Sequence, residues 1–197
     1  MKYRNDKDSL GIVKIPTNVY YGPFTGRAIK QYKVTGQNAQ PYLIKSFVMI
    51  KRSAAVTNIK AKTLDSKRGN AIVKACDKIL AGKYKDQFVV DMINSGAGTA
   101  FNMNTNEVIA NVALKILRKA LGQYQHLHPN DHVNMSQSSN DKYPTSMHMS
   151  VMFALDDLIP IIKKLEVSLD IKSKQFKKYK KNRTDTSHGC TTGNSWK

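Results

Sequence analysis

His128-Pro-Asn-Asp-His-Val-Asn-Met-Ser-Gln-Ser-Ser-Asn-Asp141 is a run of mostly polar side chains that leads into the longest helical pattern of the chain. A polar loop before a helix suits an anion, because the first backbone N–H groups of a helix are unpaired and its dipole is positive there. Ser138, Ser139 and Asn140 would add side-chain donors at the same place. The alternative is a solvated loop in which Asn140 or Asp141 caps the helix.

The pattern after Pro144 predicts one long helix over residues 145–181. Its apolar residues repeat at alternating steps of four and three, and they are Val151, Leu155, Leu158, Ile162, Leu165, Leu169 and Phe176. Such a stripe is typical of a coiled coil or a helical bundle. Pro160 lies inside the pattern and should kink the helix or remove one backbone hydrogen bond. The stripe is too long for the shorter helices to cover, so partner helices from further sequence or other subunits are expected.

A second stretch, Ser95-Gly-Ala-Gly-Thr99, is also a flexible turn before a predicted helix. Its glycines would let the backbone approach a ligand closely, and Thr99 stands where a helix begins. The stretch lacks the lysine and the spacing of a phosphate-binding loop, and it follows no clear strand. A nucleotide site of that kind is therefore excluded.

Apolar periodicity predicts three further helices, over residues 42–61, 66–80 and 104–121. Residues 1–40 are predicted to be irregular, because glycines and prolines recur there. No alternating strand pattern is clear. The predicted fold class is therefore all-α.

Composition limits the classes of protein that fit. A chain of 197 residues with 41% hydrophobic content can form one sizeable domain or part of a larger one. No apolar run approaches the roughly 20 residues that span a bilayer, and the first residues lack the apolar segment of a signal peptide. Cys76 and Cys190 are far apart and lack the spacing of metal ligands, which favours reduced thiols in the cytoplasm.

The formal net charge of +18 raises the question of a nucleic-acid partner. The lysines are spread through every segment, and the tightest cluster consists of Lys172, Lys174, Lys177, Lys178, Lys180 and Lys181. Spread lysines usually form a solvated face, and no nucleic-acid motif with interleaved aromatic residues is present. Binding to nucleic acid is therefore a minor alternative.

Taken together, the two polar stretches resemble the aspartase/fumarase superfamily. Members carry Gly-Ser/Ala-Gly-Thr, Asn-Met-Asn and Asn-Glu in one segment, which residues 96–107 match. They carry His-Pro-Asn-Asp, Val-Asn and Ser-Gln-Ser-Ser/Thr-Asn-Asp in another, which residues 128–141 match. The similarity extends over roughly residues 5–184. Ala97 stands where fumarases usually have serine, which favours the aspartase branch.

The resemblance implies an amino-terminal lyase domain over residues 1–140 and the first long helix of a central helical bundle over residues 141–184. In the superfamily that bundle builds a homotetramer. The implied reaction is the reversible elimination of ammonia from L-aspartate to give fumarate, with no cofactor and no metal. A fumarate hydratase fragment is the alternative within enzymes.

The resemblance also assigns site residues. Thr99, Ser138 and Ser139 would hold the reacting carboxylate, Asn140 would lie near the leaving amino group, and Thr184 matches a substrate-binding position. Hydroxyl and backbone N–H donors suit this role, because they stabilise the negative charge that develops when the C–H proton is removed.

A second, peripheral dicarboxylate site is implied as well. His128, Asn130 and Asp131 match a fumarase segment associated with such a site. His132 and His148 have no assigned role and are predicted to be structural or solvated.

One part of the family site is missing from the sequence. The proton-abstracting serine lies on a Gly-Ser-Ser loop that also carries a lysine for the substrate carboxylate, and the 197 residues contain no such triplet. The chain alone is therefore predicted to be an incomplete and inactive amino-terminal fragment. Family sites are assembled from three subunits, so fragments can in principle complement one another.

The match to the family ends after Arg183-Thr184. Codons from Thr184 onward, shifted forward by one base, can encode Arg-Thr-His-Leu-Met-Asp-Ala-x-Pro-Val-Thr-Leu-Gly, which is similar to the family continuation. We therefore interpret residues 185–197 as an out-of-frame tail with no function of its own. The competing hypothesis from a different class is a non-catalytic helical protein that oligomerises through the stripe from Val151 to Phe176.

Overall fold

Two short strands and five α-helices make up the part of the chain described by the computed structural model, residues 2–179. A 3-10 turn at Lys85–Gln87 and a single π-helical turn at Pro129–Val133 lie between helices. The strands and helices are β1 (Tyr3–Asp8), β2 (Gly11–Pro16), α1 (Pro23–Gln31), α2 (Pro41–Lys60), α3 (Ser66–Leu80), α4 (Thr99–Ile116) and α5 (Ser139–Phe176). This mostly helical architecture confirms the all-α prediction.

Helices α2 and α3 lie where the apolar periodicity predicts them. Pro41 occupies the first turn of α2, where its missing N–H costs nothing. The Asp65 side chain caps α3 by accepting a hydrogen bond from the Arg68 N–H at 3.0 Å. Helix α4 begins and ends about five residues earlier than predicted, because Gly98 turns the chain at its start and Arg118 is left-handed just after its end.

The prediction that residues 1–40 are irregular was wrong for the β1–β2 hairpin and for α1. The strands pair antiparallel, with Asp8 opposite Gly11 beside a two-residue turn. The alternation is hidden in the sequence because the inward-facing residues of β1 are charged. Arg4 and Asp6 form a buried ion pair, and the Arg4 guanidinium also donates to three backbone carbonyl groups, those of Pro16, Val19 and Tyr21, at 2.7–3.0 Å.

The main core lies where α3 packs against α2 and α4. Phe47 of α2 meets Phe101 of α4 edge to face, with ring centroids 4.9 Å apart. Cys76 of α3 is fully buried in this core. Burial raises the pKa of the Cys76 thiol to about 12, so it is an inert core residue and not a nucleophile.

Glu107, in the middle of α4, is buried with its carboxylate against the start of α1. Its oxygens accept hydrogen bonds from the backbone N–H groups of Gly22, Phe24 and Thr25 at 2.9–3.0 Å. These are otherwise unpaired groups at a helix start, where a negative charge is favourable. Burial raises the pKa of Glu107, and the hydrogen bonds from Thr25, Phe24 and Gly22 oppose that rise.

The chain divides into two compact units, residues 1–152 and residues 153–197. In the second unit, the described helical residues carry many exposed apolar side chains, among them Leu158, Ile162, Leu165 and Leu169. No helix in the described part of the chain has the length and apolar character needed to cross a membrane. Thr184 and the predicted tail over residues 185–197 lie outside the described residues.

Candidate functional site at two helix starts

The start of α4 is shaped by the glycine turn. Gly98 precedes the helix with φ +66°, in the left-handed region that favours glycine. A Cβ atom at Gly98 would overlap the Tyr143 ring, so the close approach of these two segments requires glycine here. Ser95 stabilises the first turn because its hydroxyl accepts a hydrogen bond from the Ala100 N–H at 3.0 Å.

The start of α5 is shaped by Ser138. Its hydroxyl accepts a hydrogen bond from the Asn140 N–H at 3.2 Å, and its carbonyl accepts one from the Lys142 N–H at 3.1 Å. The cap is therefore Ser138, and the alternative that Asn140 or Asp141 caps the helix was wrong. The helix begins at Ser139, six residues before the predicted residue 145, and it continues through Pro144.

Two contacts bring these helix starts together within the first unit. Tyr143 lies against Gly98, and the Lys142 Nζ atom donates to Asn102 Oδ1 at 3.1 Å. Asn102 is in the first turn of α4, and Lys142 is in the first turn of α5. The two polar stretches singled out in the sequence analysis are thus adjacent in the fold, although they lie far apart along the chain.

The predicted carboxylate-binding groups lie at this junction. Thr99 and Ser139 are the first residues of α4 and α5, and Asn140 follows Ser139. Thr99, Ser138 and Asn140 are exposed, and Ser139 is partly exposed. Within residues 2–179 the side chains of Thr99, Ser139 and Asn140 have no hydrogen-bond partner, so they are open to a ligand.

The lead-in to the glycine turn is fixed by Asp91. Its carboxylate accepts hydrogen bonds from the backbone N–H groups of Val34, Thr35, Gly36 and Ile93 at 2.8–3.1 Å. Burial acts to raise the Asp91 pKa, but these hydrogen bonds outweigh it and hold the pKa below its usual value. Asp91 therefore stays ionised and ties the loop after α1 to the segment before Ser95.

Sequence analysis did not predict the two buried lysines that join the starts of α4 and α5. Lys51 of α2 and Lys142 of α5 are buried, although spread lysines suggested a solvated face. The Nζ atoms of both donate to Asn102 Oδ1 and to Asn134 Oδ1, at 2.5–3.1 Å. No sequence signal marks either lysine, because each occupies a position in a helix where solvated lysines are common.

The second predicted dicarboxylate segment forms a single turn. The His128 Nδ1 atom accepts hydrogen bonds from the N–H groups of Asn130 and Asp131, both at 3.2 Å. Asp131 Oδ2 also lies 3.3 Å from this Nδ1. In the neutral tautomer that accepts these two hydrogen bonds at Nδ1, the ring proton lies on Nε2. The side chains of Asn130 and Asp131 face solvent.

His132 has a structural role in the same turn. Its Nδ1 atom accepts a hydrogen bond from the His128 N–H at 2.8 Å. Burial, and then the Arg68 guanidinium, lower the pKa of His132, which favours the neutral acceptor form. His148, in α5, is exposed.

One apolar cavity of the described residues lies elsewhere. It has a volume of about 350 Å³, between the start of α2 and the end of α3, and apolar residues such as Ala39, Ile79 and Phe88 line it. It contains none of the predicted site residues. Within residues 2–179 no three acidic, histidine or cysteine side chains are grouped as metal ligands.

Comparison with known proteins finds a matching family and several relatives. The profile of a family described as lyase matches residues 11–188. The aspartate ammonia-lyase of a Bacillus species is 46% identical over 173 residues, which are 88% of this chain and 37% of that protein. The class II fumarate hydratase of Wigglesworthia glossinidia brevipalpis is 45% identical over 175 residues, 88% of this chain and 38% of that protein.

A solved structure shares the fold. The fumarate lyase:delta crystallin of Brucella melitensis superposes with a TM-score of 0.89 at 38% sequence identity. The match covers 95% of this chain and 43% of that one. The chain thus spans less than half the length of these relatives.

Proposed function

The chain belongs to the lyase family, and on that premise we propose that it forms the substrate-binding part of an aspartate ammonia-lyase. The reaction would be the reversible elimination of ammonia from L-aspartate, giving fumarate. The observation that carries the proposal is the meeting of the α4 and α5 starts, which places the unpaired side chains of Thr99, Ser139 and Asn140 at one junction. The relatives named aspartate ammonia-lyase support the choice of substrate.

The chemistry explains why such donors are needed. A base removes a proton from the carbon beside the reacting carboxylate, and the electron pair left behind spreads onto that carboxylate. The C–N bond then breaks, ammonia leaves with its electron pair, and a C=C bond forms. Donors preplaced around the carboxylate accelerate the first step, because their hydrogen bonds strengthen as the second negative charge develops.

In this scheme each residue has one role. Thr99, Ser138 and Ser139 hold the reacting carboxylate with hydroxyl and backbone N–H donors, helped by the positive ends of two helix dipoles. Asn140 binds near the leaving amino group. Thr184 would complete the set. The turn at His128, Asn130 and Asp131 is proposed as the peripheral dicarboxylate site.

The proton abstractor has to come from elsewhere, because the 197 residues contain no Gly-Ser-Ser loop. We expect the chain alone to give no elimination. Mixed with a second chain that carries the serine loop, it should form fumarate from L-aspartate. The Ser139→Ala and Thr99→Val variants should each lower that rate by roughly 10²- to 10³-fold, the usual loss for one charge-stabilising donor.

Ser173→Ala is the matched control, since Ser173 is an exposed serine in the last turns of the same helix and belongs to neither helix start. It should leave the complemented rate unchanged. A complemented enzyme that tolerates Ser139→Ala and Thr99→Val as well as Ser173→Ala would refute the assignment of these residues to the site.

Fumarate hydratase is the second candidate, because the Wigglesworthia relative is nearly as similar as the Bacillus one. Water would then replace ammonia as the leaving group. Consumption of fumarate by the complemented enzyme should require ammonium if the chain is an ammonia-lyase. Consumption at the same rate without ammonium would establish the hydratase instead.

The proposal extends to assembly, location and chain organisation. Exposed apolar residues along α5 support a homotetramer built on a helical bundle. The free, buried Cys76 thiol is in keeping with the cytoplasm. We keep the division into a domain over residues 1–140, a bundle start over residues 141–184 and an out-of-frame tail over residues 185–197. A DNA read across codons 180–200 would test the out-of-frame tail.

A further inference from the structure

The polar cluster between the α4 and α5 starts is made of Lys51, Lys142, Asn102 and Asn134. Both lysine Nζ atoms donate to the same two oxygens, Asn102 Oδ1 and Asn134 Oδ1. Two nitrogens bonded to the same pair of oxygens lie within a few ångströms of each other. Lys51 is 0% exposed and Lys142 is 3% exposed, so water does not screen their repulsion.

The cluster holds more donors than acceptors. Four nitrogen atoms approach the single oxygen Asn134 Oδ1, and they belong to Lys51 (2.8 Å), Lys142 (2.5 Å), Asn102 (3.3 Å) and Asn106 (3.2 Å). An amide oxygen has only two lone pairs. Two ammonium groups offer six N–H donors, which these oxygens cannot satisfy. An uncharged lysine has a lone pair, so it would add the missing acceptor and remove one buried charge.

The groups that face the cluster do not supply a counter-charge. From α3 comes Cys76, whose thiol is uncharged because burial raises its pKa to about 12. Helix α4 contributes asparagines, and the carboxylate that acts on the charge of Lys142 is that of Asp141, which is exposed. Within residues 2–179 neither buried lysine forms an ion pair with a carboxylate.

Electrostatic effects also favour an uncharged lysine in this cluster, as the hydrogen-bond geometry does. Burial, and then the charge of Lys142, hold the pKa of Lys51 well below its usual value. Burial also lowers the pKa of Lys142. Lys51 is the more buried of the two, so it is the amine that gives up its proton first.

We propose that Lys51 and Lys142 are a pair of positioning residues that set the spacing of the α4 and α5 starts, with Lys51 uncharged when the starts are closed together. The Lys51 lone pair then accepts a hydrogen bond from the Lys142 ammonium. When Lys51 takes up a proton, two buried ammonium groups repel, and the first turns of α4 and α5 separate. Thr99 and Ser139 each lie three residues before a cluster residue, so their spacing changes with it.

Titration of the lysine side chains by NMR of the whole 197-residue chain tests the charge state. We expect one lysine to titrate well below the others, and its signal should be absent from the Lys51→Met variant. In Lys142→Met, which removes only the neighbouring charge, the same signal should remain and titrate at higher pH. Lys163→Met, at an exposed position of α5, should leave it unchanged. Wild-type lysines that all titrate together would overturn the proposal, whether or not the variants fold.

Hydrogen–deuterium exchange tests the positioning role in the chain alone. After correction for the intrinsic pH dependence, amides at residues 99–102 and 139–142 should exchange faster below the pH at which the shifted lysine titrates. Lys142→Met should abolish that step, because a single ammonium has nothing to repel. A purely structural role would leave exchange in this pH range unchanged, and that result would reject positioning.

Of the three experiments, only the measurement of enzyme activity rests on the proposed function. In the enzyme formed with a second chain that carries the serine loop, kcat/KM should fall tenfold per pH unit below the pKa of the shifted lysine. Lys142→Met should remove this decrease at low pH, which is the acid limb of the pH profile. An acid limb unaltered by Lys142→Met would count against the proposal. If no elimination occurs at all, the proposed function fails, while NMR and exchange still decide the inference about the lysines.

Discussion

Glu107 is a single buried carboxylate on which the start of α1 depends. Replacement by glutamine (Glu107→Gln) leaves one oxygen for three backbone N–H donors and turns an N–H₂ group toward at least one of them. We expect a loss of about 1–3 kcal/mol in the free energy of unfolding, the usual range for unsatisfied buried donors. Urea denaturation at neutral pH measures it. Glu166→Gln, at an exposed position of α5, is the control and should change stability by under about 0.5 kcal/mol.

The effect of Glu107→Gln should also depend on pH. Because burial raises the Glu107 pKa, the folded chain binds this proton more readily than the unfolded chain does. The stabilisation from the protonated form is complete below the usual glutamate pKa and is lost as pH rises through the raised value. The glutamine variant has no such titrating group, so the difference in stability between wild type and variant should grow as pH falls through the raised value. A difference that stays constant from neutral to acidic pH would contradict this account.

Gly98 and Gly96 differ although they lie in the same turn. Gly98→Ala puts a Cβ atom into the Tyr143 ring at a left-handed φ, whereas the Cβ of Gly96→Ala meets nothing within 4 Å. We expect Gly98→Ala to lower the free energy of unfolding by about 1–3 kcal/mol through overpacking and backbone strain. Gly96→Ala should change it by less than about 0.5 kcal/mol. Equal stability of the two variants in urea denaturation would show that the α4 and α5 starts do not meet as described.

At the scale of single residues, some members of the candidate site could be predicted from the sequence and others could not. The residues with open side chains at the two helix starts, Thr99, Ser139 and Asn140, could be singled out because polar residues before a helix are a local pattern. Lys51 and Lys142 could not, since their burial depends on contacts between three helices that no local pattern contains. The family motif includes the Asn-Glu pair that ends at Glu107. That the Glu107 carboxylate accepts hydrogen bonds from the start of α1 could not be predicted, because it depends on where α1 lies in the fold.

Helix α5 carries apolar side chains that nothing in the described chain covers. Leu158, Ile162 and Leu165 are each about half exposed, and further apolar residues lie on other sides of the helix. A helix that is apolar on several sides is normally buried in a bundle. We therefore expect concentration-dependent self-association at micromolar concentration, measured by sedimentation equilibrium. Ile162→Lys should weaken it, while the control Lys163→Met should not. A wild-type chain that stays monomeric would contradict the bundle.

Helices α2 and α3 could be predicted from the sequence, whereas the β1–β2 hairpin could not. Helices α2 and α3 have apolar periodicity together with a proline or an aspartate at their starts, so both extent and start are encoded locally. The inner face of β1 carries the charged residues Arg4 and Asp6, which pair with each other there. Apolar periodicity therefore does not predict β1, and without it the hairpin was missed.

The whole chain carries a formal net charge of +18, which opposes compaction by self-repulsion. Added salt screens that repulsion over a Debye length of about 10 Å at 0.1 M. We expect the melting temperature to rise by a few degrees, on the order of 1 kcal/mol of stability, between low and physiological ionic strength. Thermal denaturation in increasing potassium chloride measures this rise. A melting temperature that falls with salt would show that ion pairs such as Arg4–Asp6 outweigh the net repulsion.

The bond from Glu107 to the start of α1 has a consequence for synthesis on the ribosome. The acceptor lies 82–85 residues after the N–H groups that it satisfies. A growing polypeptide therefore exposes Gly22, Phe24 and Thr25 long before their partner is translated, and α1 has no cap during that interval. Docking of α1 must wait until α4 has left the exit tunnel. The order of translation thus makes the central helix, and not the amino terminus, the part that completes the first folded nucleus.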